Sequence, residues 1–231
     1  KFFRKIRYDL MEKNKTGKYF KYAIGEIVLV VIGILIALQI DNLNTKKIEN
    51  QREIKYLTNI KLDLNKDIES LEYNINFRHK KALGIEKLLN QINGQQILNL
   101  SETAYNELVS SGNMNLISND SIKIYLFDLS LLYQSNSYYN EHETSEYEEN
   151  ISKPIFRLTD IERMKPVFLG LKTAEQANIS ERDFEALFKS QVYKNGCVIL
   201  NWTSEGFIEL YENLKTKSVK LVELIDLELK K

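Results

Sequence analysis

The feature that most constrains this chain is an apolar run, YAIGEIVLVVIGILIALQI, which extends from Tyr22 to Ile40. At about 1.5 Å of rise per residue, a helix of this length spans roughly 28 Å, close to the hydrocarbon thickness of a bilayer. A secretory signal peptide fits less well, because the run exceeds the usual apolar segment of such peptides and no small-residue cleavage site follows. The run therefore predicts an uncleaved transmembrane helix over residues 22–40.

Basic residues are concentrated before this run. Residues 1–21 contain eight Lys or Arg and two Asp or Glu, a net charge of +6, so in a chain with 32 residues of each sign the remainder carries −6. The positive-inside rule then predicts a cytoplasmic N-terminus, with residues 41–231 on the other side of the membrane. The acidic bulk argues against nucleic acid as a partner.

The basic leader, residues 1–21, has an amphipathic pattern of its own. Its apolar side chains share one helical face and its cations surround that face, which is typical of a short helix lying among lipid headgroups. A basic tail that only sets the topology is the alternative interpretation. The residues expected to contact membrane lipid are Phe2, Phe3, Arg4, Lys5, Ile6 and Arg7.

A single glutamate, Glu26, interrupts the apolar run. At 100° per residue, Gly33 and Ala37 each lie about 20° from it around the helix. Small residues let helices approach closely in lipid, so the three residues predict a contact face between transmembrane helices. Two alternatives stay open: the carboxylate reaches the cytoplasmic interface, only four residues from Tyr22, or it handles protons or ions.

A heptad pattern begins at Ile54 and continues for five and a half heptads. Ten of its twelve positions are apolar, the exceptions being Lys61 and Arg78. Such a pattern favours a coiled coil or a long bundle helix, and it predicts a helical stalk over residues 41–93 that ends at Asn93-Gly94. The apolar positions are Ile54, Leu57, Leu64, Ile68, Leu71, Ile75, Ala82, Ile85, Leu89 and Ile92.

Residues 94–231 are expected to form a distal helical domain, which makes the fold class all-α. A helix over residues 101–111 should end at Gly112, and a longer one over about 121–149 should begin at a cap, Asp120 or Ser118, and stop before Pro154. The acidic second half of that helix, NEHETSEYEEN, reads as a solvated face.

The last part of the chain continues the helical pattern. Ser180 and Asp183 have the spacing of a capping box, and a final amphipathic helix carries the apolar positions from Phe207 to Ile225. The run CVILNW, residues 197–202, favours helix over a short strand.

The sequence offers no catalytic constellation. Two histidines, His79 and His142, are too few for a multi-histidine metal site, and one cysteine, Cys197, excludes an internal disulfide. The sequence contains no phosphate-binding loop, dinucleotide fingerprint or nucleophile elbow. We therefore expect no enzymatic activity, no cofactor and no metal.

Two stretches of the chain resemble one family. The first is KYFKYAIGEIVLVVIGILIALQIDNLN, from Lys18 to Asn44, preceded by KFFRKIR. The second is YNELVSSGNMNLISNDSIKIYL, from Tyr105 to Leu126. Both stretches are similar to single-span inner-membrane proteins of Bacteroidota known only as a domain of unknown function. The resemblance implies an inner (cytoplasmic) membrane protein with a periplasmic bulk, but no activity. In that family the Gly25-Glu26 pair belongs to the signature, whereas Leu43 stands where a tryptophan is expected.

These observations predict a membrane-anchored, homo-oligomeric periplasmic scaffold or interaction protein. Its partners would be further copies of itself, membrane lipid, or another membrane or periplasmic protein. Two other function classes stay open: a periplasmic ligand-binding or sensory module that acts through a partner, and an ion-coupled subunit that uses Glu26. A cytoplasmic part of 21 residues is too short to hold a signalling domain, which weighs against independent signalling.

We expect substitutions on the Glu26 face to change the native mass of the detergent-solubilised protein. Glu26→Leu and Gly33→Leu should loosen the oligomer, because each interaction removed between helices costs on the order of 1 kcal/mol. Glu26→Gln should be tolerated because the amide can form a hydrogen bond in the same place. Gly25→Leu is the control, since Gly25 lies about 100° from Glu26. An oligomer that survives Glu26→Leu intact would refute the contact face.

Overall fold

The computed structural model describes residues 16–80, 97–173 and 175–231. Its internal contacts divide the chain into two compact units, Lys1–Glu53 and Ile54–Lys231. The first helix, α1, extends from Thr16 to Lys80 and contributes residues to both units.

In the first unit, α1 carries the apolar run with its side chains exposed. Every large apolar side chain that is described between Ile24 and Ile40 is at least 47% exposed within the chain. Among the described residues, α1 is the helix that is long and apolar enough to cross a membrane. This agrees with the span predicted from the sequence.

The second unit is built around three long helices: residues 54–80 of α1, α3 (Asp120–Tyr147) and α7 (Gln191–Glu228). Helix α3 runs parallel to this part of α1, and α7 runs antiparallel to both. Ion pairs cross between the helices, such as Lys61 of α1 with Asp226 of α7. The buried core includes Leu57, Ile60, Leu64, Leu71, Ile75, Ile122, Leu126, Leu129, Tyr133, Phe207, Tyr211, Leu214, Leu221 and Ile225.

The segment before α3 consists of a short helix and a 3-10 turn. Helix α2, Thr103–Ser110, is followed by Gly112, whose φ of +70° is the left-handed conformation that glycine adopts without strain, and by a 3-10 turn at Asn113–Leu116. The N-cap of α3 is Asn119, whose side chain accepts hydrogen bonds from the backbone of Ser121 and Ile122. The prediction of Asp120 or Ser118 as the cap was therefore wrong, since Asn119 has the extended backbone that a cap needs.

Helix α3 ends at Tyr147, before Pro154, as the sequence predicted. The chain stays helical beyond it, through a π-helical turn, Glu148–Ser152, into α4, Lys153–Leu158. Proline is tolerated at the start of a helix, where its missing N–H is not required, and Pro154 lies at that position in α4. The π turn shifts the hydrogen-bond register just before it.

A second apolar cluster packs against the end of α3 and the start of α7. It is formed with α4, α5 (Ile161–Phe168), a 3-10 turn (Glu181–Phe184) and α6 (Glu185–Lys189). The predicted capping box is confirmed: the backbone N–H of Ser180 donates to the Asp183 carboxylate at 2.7 Å. The buried members of the cluster are Ile151, Ile155, Met164, Phe184, Leu187, Tyr193 and Leu200.

The predicted fold class, all-α with a long N-terminal apolar helix followed by further helices, is confirmed. Residues 197–202 lie within α7 and are helical, as favoured. The contacts separate the two units between residues 53 and 54, and the predicted divisions after residues 21, 40 and 93 stay predictions. Residues 54–80 pack with α3 and α7, so they belong to the helical domain. The predicted helix end at Asn93-Gly94 lies outside the described residues.

Two glycines of α7 provide a matched test of this packing. A Cβ added at Gly196 would lie 2.6 Å from Cβ of Asn150 in the π turn, whereas one added at Gly206 meets nothing within 4 Å. Gly196→Ala should lower the free energy of unfolding by about 1–3 kcal/mol through overpacking. Gly206→Ala should raise it by up to about 1 kcal/mol, because alanine favours helix. Thermal unfolding of the full chain followed by circular dichroism checks both, and equal shifts would contradict the close approach at Gly196.

Candidate functional site

The predicted contact face of the span lies on the surface of α1. Glu26, Gly33 and Ala37 are all exposed within the single chain. A Cβ added at Gly33 or at Gly25 meets nothing within 4 Å. Neither glycine is therefore required for packing inside this chain, and their role in contacts between chains stays a prediction.

The heptad positions of α1 pack inside their own chain. Leu57, Leu64, Leu71 and Ile75 are buried against α3 and α7, Ile68 is half-buried, and the first position, Ile54, is 46% exposed. A heptad pattern predicts that a helix packs along a seam, but it does not identify the helix on the other side. Here α3 and α7 of the same chain fill that place. Ile85, Leu89, Ile92 and the leader residues Phe2, Phe3, Arg4, Lys5, Ile6 and Arg7 lie outside the described residues.

The polar interruption of the heptad, Arg78, forms a buried ion pair with Glu143 of α3. Nη1 of Arg78 donates to Oε1 of Glu143 and Nη2 donates to Oε2, each at 2.9 Å. The two side chains are only 3% and 2% exposed. Such a two-pronged arrangement is the strongest geometry that arginine and a carboxylate adopt, and it fixes their relative orientation.

Aromatic side chains of α7 complete the environment of this pair. The Arg78 guanidinium carbon lies 4.0 Å from the ring centroid of Phe207 and 5.4 Å from that of Tyr211. A desolvated cation over an aromatic face gains about 2 kcal/mol. Burial alone lowers the pKa of Arg78, but the hydrogen bonds and charge of Glu143 outweigh that effect and raise it. The pair therefore joins α1, α3 and α7 at one level of the bundle.

A second buried polar group lies further toward the start of α3. The Asp67 carboxylate accepts hydrogen bonds from the Tyr133 hydroxyl at 2.9 Å and from the backbone N–H of Ser101 at 2.8 Å. Neighbouring Asp63 accepts the backbone N–H of Ala104 at 3.1 Å. Two carboxylates of α1 thus hold the first turn of α2 and the residues before it.

The environment of Asp67 changes its acidity. Burial raises the pKa of Asp67 to about 6, although the bonds from Ser101 and Tyr133 lower it and the negative charge of Asp63 raises it further. Burial also raises the pKa of Tyr133, with Asp67 adding to the shift, so the phenol keeps its proton and donates a hydrogen bond to the carboxylate. A cavity of about 20 Å³ beside Asp63, Ser130 and Tyr133 has room for one water molecule.

Two asparagines of α3 lie between these polar groups. Nδ2 of Asn136 and Nδ2 of Asn140 both donate to the backbone oxygen of Leu98, at 3.1 and 3.3 Å. Together with Tyr133 and Glu143 they continue the buried stripe of α3 at intervals of three and four residues. The segment that begins at residue 97 is thus bound to the bundle by side-chain amides of α3 that donate to its main chain.

The burial of Glu143 corrects a prediction made from the sequence. The second half of α3 was expected to be a solvated acidic face, but Glu143 is buried and paired. Two signals in the sequence point to it. The three-and-four spacing of Ile122, Leu126, Leu129 and Tyr133 extends to residue 143, and Arg78 falls on a heptad position where an apolar residue is usual.

The described residues contain no group of three or more His, Cys, Asp or Glu that could hold a metal ion. The buried polar side chains bond mainly to one another and to the main chain. Their arrangement can align helices and fix loop ends. Trp202 of α7 is 76% exposed.

Comparison with known proteins gives one family model that matches the first part of the chain. Residues 26–122 match the model of a family described as a family of unknown function, DUF6090. The match begins at Glu26 and includes the heptad and the segment around Tyr105–Ile122, so the resemblance to a domain of unknown function is confirmed. No curated protein and no solved structure gives a significant match.

The ion pair predicts a specific pattern of stabilities. Arg78→Met and Glu143→Gln should each lower the free energy of unfolding by about 3–5 kcal/mol, because each leaves a buried group without its partner. The double variant Arg78→Met/Glu143→Gln should lose less than either single variant, since no uncompensated charge stays buried. Unfolding of the full chain in detergent, followed by circular dichroism, measures these differences.

The exposed pair of Lys220 and Glu223 on α7 provides the control, with a separation of 2.8 Å. Lys220→Met should leave the unfolding transition unchanged, because exposed ion pairs contribute little. If the losses for Arg78→Met and Glu143→Gln simply add in the double variant, the two side chains do not depend on each other and the assignment is wrong.

Proposed function

We propose that this protein is a membrane-anchored, homo-oligomeric scaffold or interaction protein without catalytic activity. Residues 22–40 serve as the anchor, and Ile54–Lys231 forms the folded part that binds partners. The observation that carries the proposal is the exposure of the apolar run on every side of α1.

The pattern of exposure distinguishes an anchor from a core helix. A core helix of a water-soluble protein is covered by its own chain, whereas soluble proteins rarely leave large apolar patches in contact with water. From Ile24 to Ile40 the large apolar side chains are exposed all round the helix, and none of this stretch is buried. Lipid is the solvent that suits such a surface, and a helix satisfies its own backbone hydrogen bonds there.

The proposed location is the inner (cytoplasmic) membrane, with the N-terminus in the cytoplasm and the folded unit in the periplasm. The net charge of +6 in residues 1–21 supports this orientation, because basic residues are enriched on the cytoplasmic side. Single-pass anchoring leaves the second unit free in the aqueous compartment.

A scaffold role is supported by how the polar groups of the second unit are used. Arg78 is bound to Glu143 at both nitrogens of its fork, and Asp67 is bound by Tyr133 and Ser101. These contacts stabilise one arrangement of helices. The ligand-binding and ion-coupled alternatives stay predictions, because no contact of the described residues favours either of them.

Protease accessibility tests the proposed topology. When the full chain is expressed in a Gram-negative cell, protease added to spheroplasts should degrade residues 41–231, while the membrane pellet keeps the N-terminal leader. A variant with two charges in the span, Val30→Lys/Ile34→Lys, is the control and should leave the membrane fraction, since each charge costs several kcal/mol at mid-bilayer. A folded unit protected in sealed spheroplasts but digested after lysis would contradict the orientation.

A further inference from the structure

The outer surface of α3 carries an apolar stripe that the core of the bundle does not use. Ile124, Phe127, Leu131 and Tyr138 are 61%, 58%, 46% and 59% exposed. Leu131 lies about 180° around the helix from the buried Ile122, so the stripe faces directly away from the core. We define the outer face of α3 as Ile124, Phe127, Leu131, Gln134, Tyr138 and Glu141.

The spacing within this face is that of a coiled-coil seam. The six residues follow one another at intervals of three, four, three, four and three, which are a and d positions of a heptad. A helix with two opposed seams packs on both sides. One seam of α3 is filled by α1 and α7, and the other faces outward.

We propose that the outer face of α3 binds the same face of a second copy of this chain, with the two α3 helices parallel. This inference rests on the proposed anchored homo-oligomer and adds a contact outside the membrane. Parallel pairing places each residue of the face against its own counterpart, so Ile124, Phe127, Leu131 and Tyr138 each pack on themselves. Gln134 then meets Gln134, and the two Glu141 carboxylates, which repel each other, limit the seam at that end.

The charges that flank the first layers of the seam favour the parallel arrangement. In a parallel pair, a g residue lies near the e residue five positions further along the partner helix. These positions are Lys123 and Asp128, so two opposite-charge contacts form by symmetry. Within the chain, Lys123 donates to Asp120, and Asp128 accepts a hydrogen bond from Lys217. An ammonium group and a carboxylate can each form more than one hydrogen bond, so both residues can also form the contact with the second copy.

An antiparallel pair would be less favourable. In the register that superimposes the two stripes, Ile124 would lie against Glu141 of the other copy, and Leu131 would lie against Gln134. Those layers bury a carboxylate or an amide against an apolar side chain, which carries a desolvation cost. Of the other flanking positions, Ser135 and Ser137 are small and uncharged and allow close approach in the parallel pair, while Ser130 is buried in the core and His142 flanks the last layer.

The seam is short, which connects it to the membrane anchor. Residues 124–141 span about 26 Å of helix, and two and a half heptads form a marginal coiled coil alone. Two copies held in one membrane meet at a raised effective concentration, so a weak contact is populated there.

Disulfide formation in membranes tests the inference. In the full chain with Cys197→Ala, Ile124→Cys should form a covalent dimer under mild oxidation about tenfold faster than Lys220→Cys, because seam positions come within disulfide range. Lys220 is the matched control, because it is exposed on α7 and its ion pair is with Glu223 of the same helix. Equal rates for the two variants would overturn the inference.

Two further variants test whether the α3 helices are parallel and whether the outer face of α3 is needed for the dimer. If Ile124→Cys forms dimers only when mixed with a chain carrying Glu141→Cys, the parallel arrangement is wrong. Leu131→Lys should abolish the dimer of Ile124→Cys without changing the unfolding transition, whereas Leu62→Lys should not, since Leu62 is also exposed, at 55%, but lies on α1. Retention of the dimer in Leu131→Lys overturns the inference.

The native mass of the detergent-solubilised protein distinguishes this inference from the proposed function. An oligomer that forms without any cross-link at Ile124→Cys overturns the α3 contact and leaves the anchored oligomer in place. A monomeric mass together with no cross-link overturns both.

Discussion

The ion pair between Arg78 and Glu143 is the interaction on which the arrangement of the second unit depends. Two charges removed from water carry a desolvation cost that only good geometry and further contacts offset. Both conditions are present here, because the pair is bonded at two points and Phe207 lies 4.0 Å from the guanidinium. A shift of α1 or α3 by one turn would leave both charges buried and unpaired. The pair therefore selects one register among the many that apolar packing alone would tolerate.

The other buried polar groups of α3 fix the position of α3 relative to Asp67 of α1 and to the segment that contains Leu98. Tyr133, Asn136 and Asn140 bond to Asp67 or to the main chain of Leu98, all within the same buried stripe as Glu143. Each of these side chains is buried, so removing its partner would leave an unsatisfied group that costs about 1–3 kcal/mol. Apolar side chains supply the area of this core, and polar ones specify its alignment.

Much of the fold follows from the sequence because the distribution of apolar residues around a helix indicates what surrounds that helix. An apolar run on all sides from Ile24 to Ile40 indicates lipid, and the one-sided pattern from Leu57 to Ile75 indicates a packed helix. What periodicity does not identify is the partner. The heptad of α1 predicted a coiled coil or a long bundle helix. In its described part, from Leu57 to Ile75, α3 and α7 of the same chain fill the seam, and a seam looks the same whichever helix fills it. Glu143 was missed for a related reason: burial of a carboxylate depends on Arg78, 65 residues away in the chain.

The central claim is that α1 passes from lipid into an aqueous compartment, and matched cysteines test it directly. Ile36 and Leu62 are equally exposed within the chain, at 56% and 55%. In intact membranes, with Cys197→Ala as background, a water-soluble maleimide applied to the side proposed to be periplasmic should label Leu62→Cys quickly. It should label Ile36→Cys only after the membrane is dissolved and the chain is denatured, because a thiol in hydrocarbon is shielded from the reagent and is not ionised. Labelling of Ile36→Cys at the rate of Leu62→Cys in intact membranes would contradict the account.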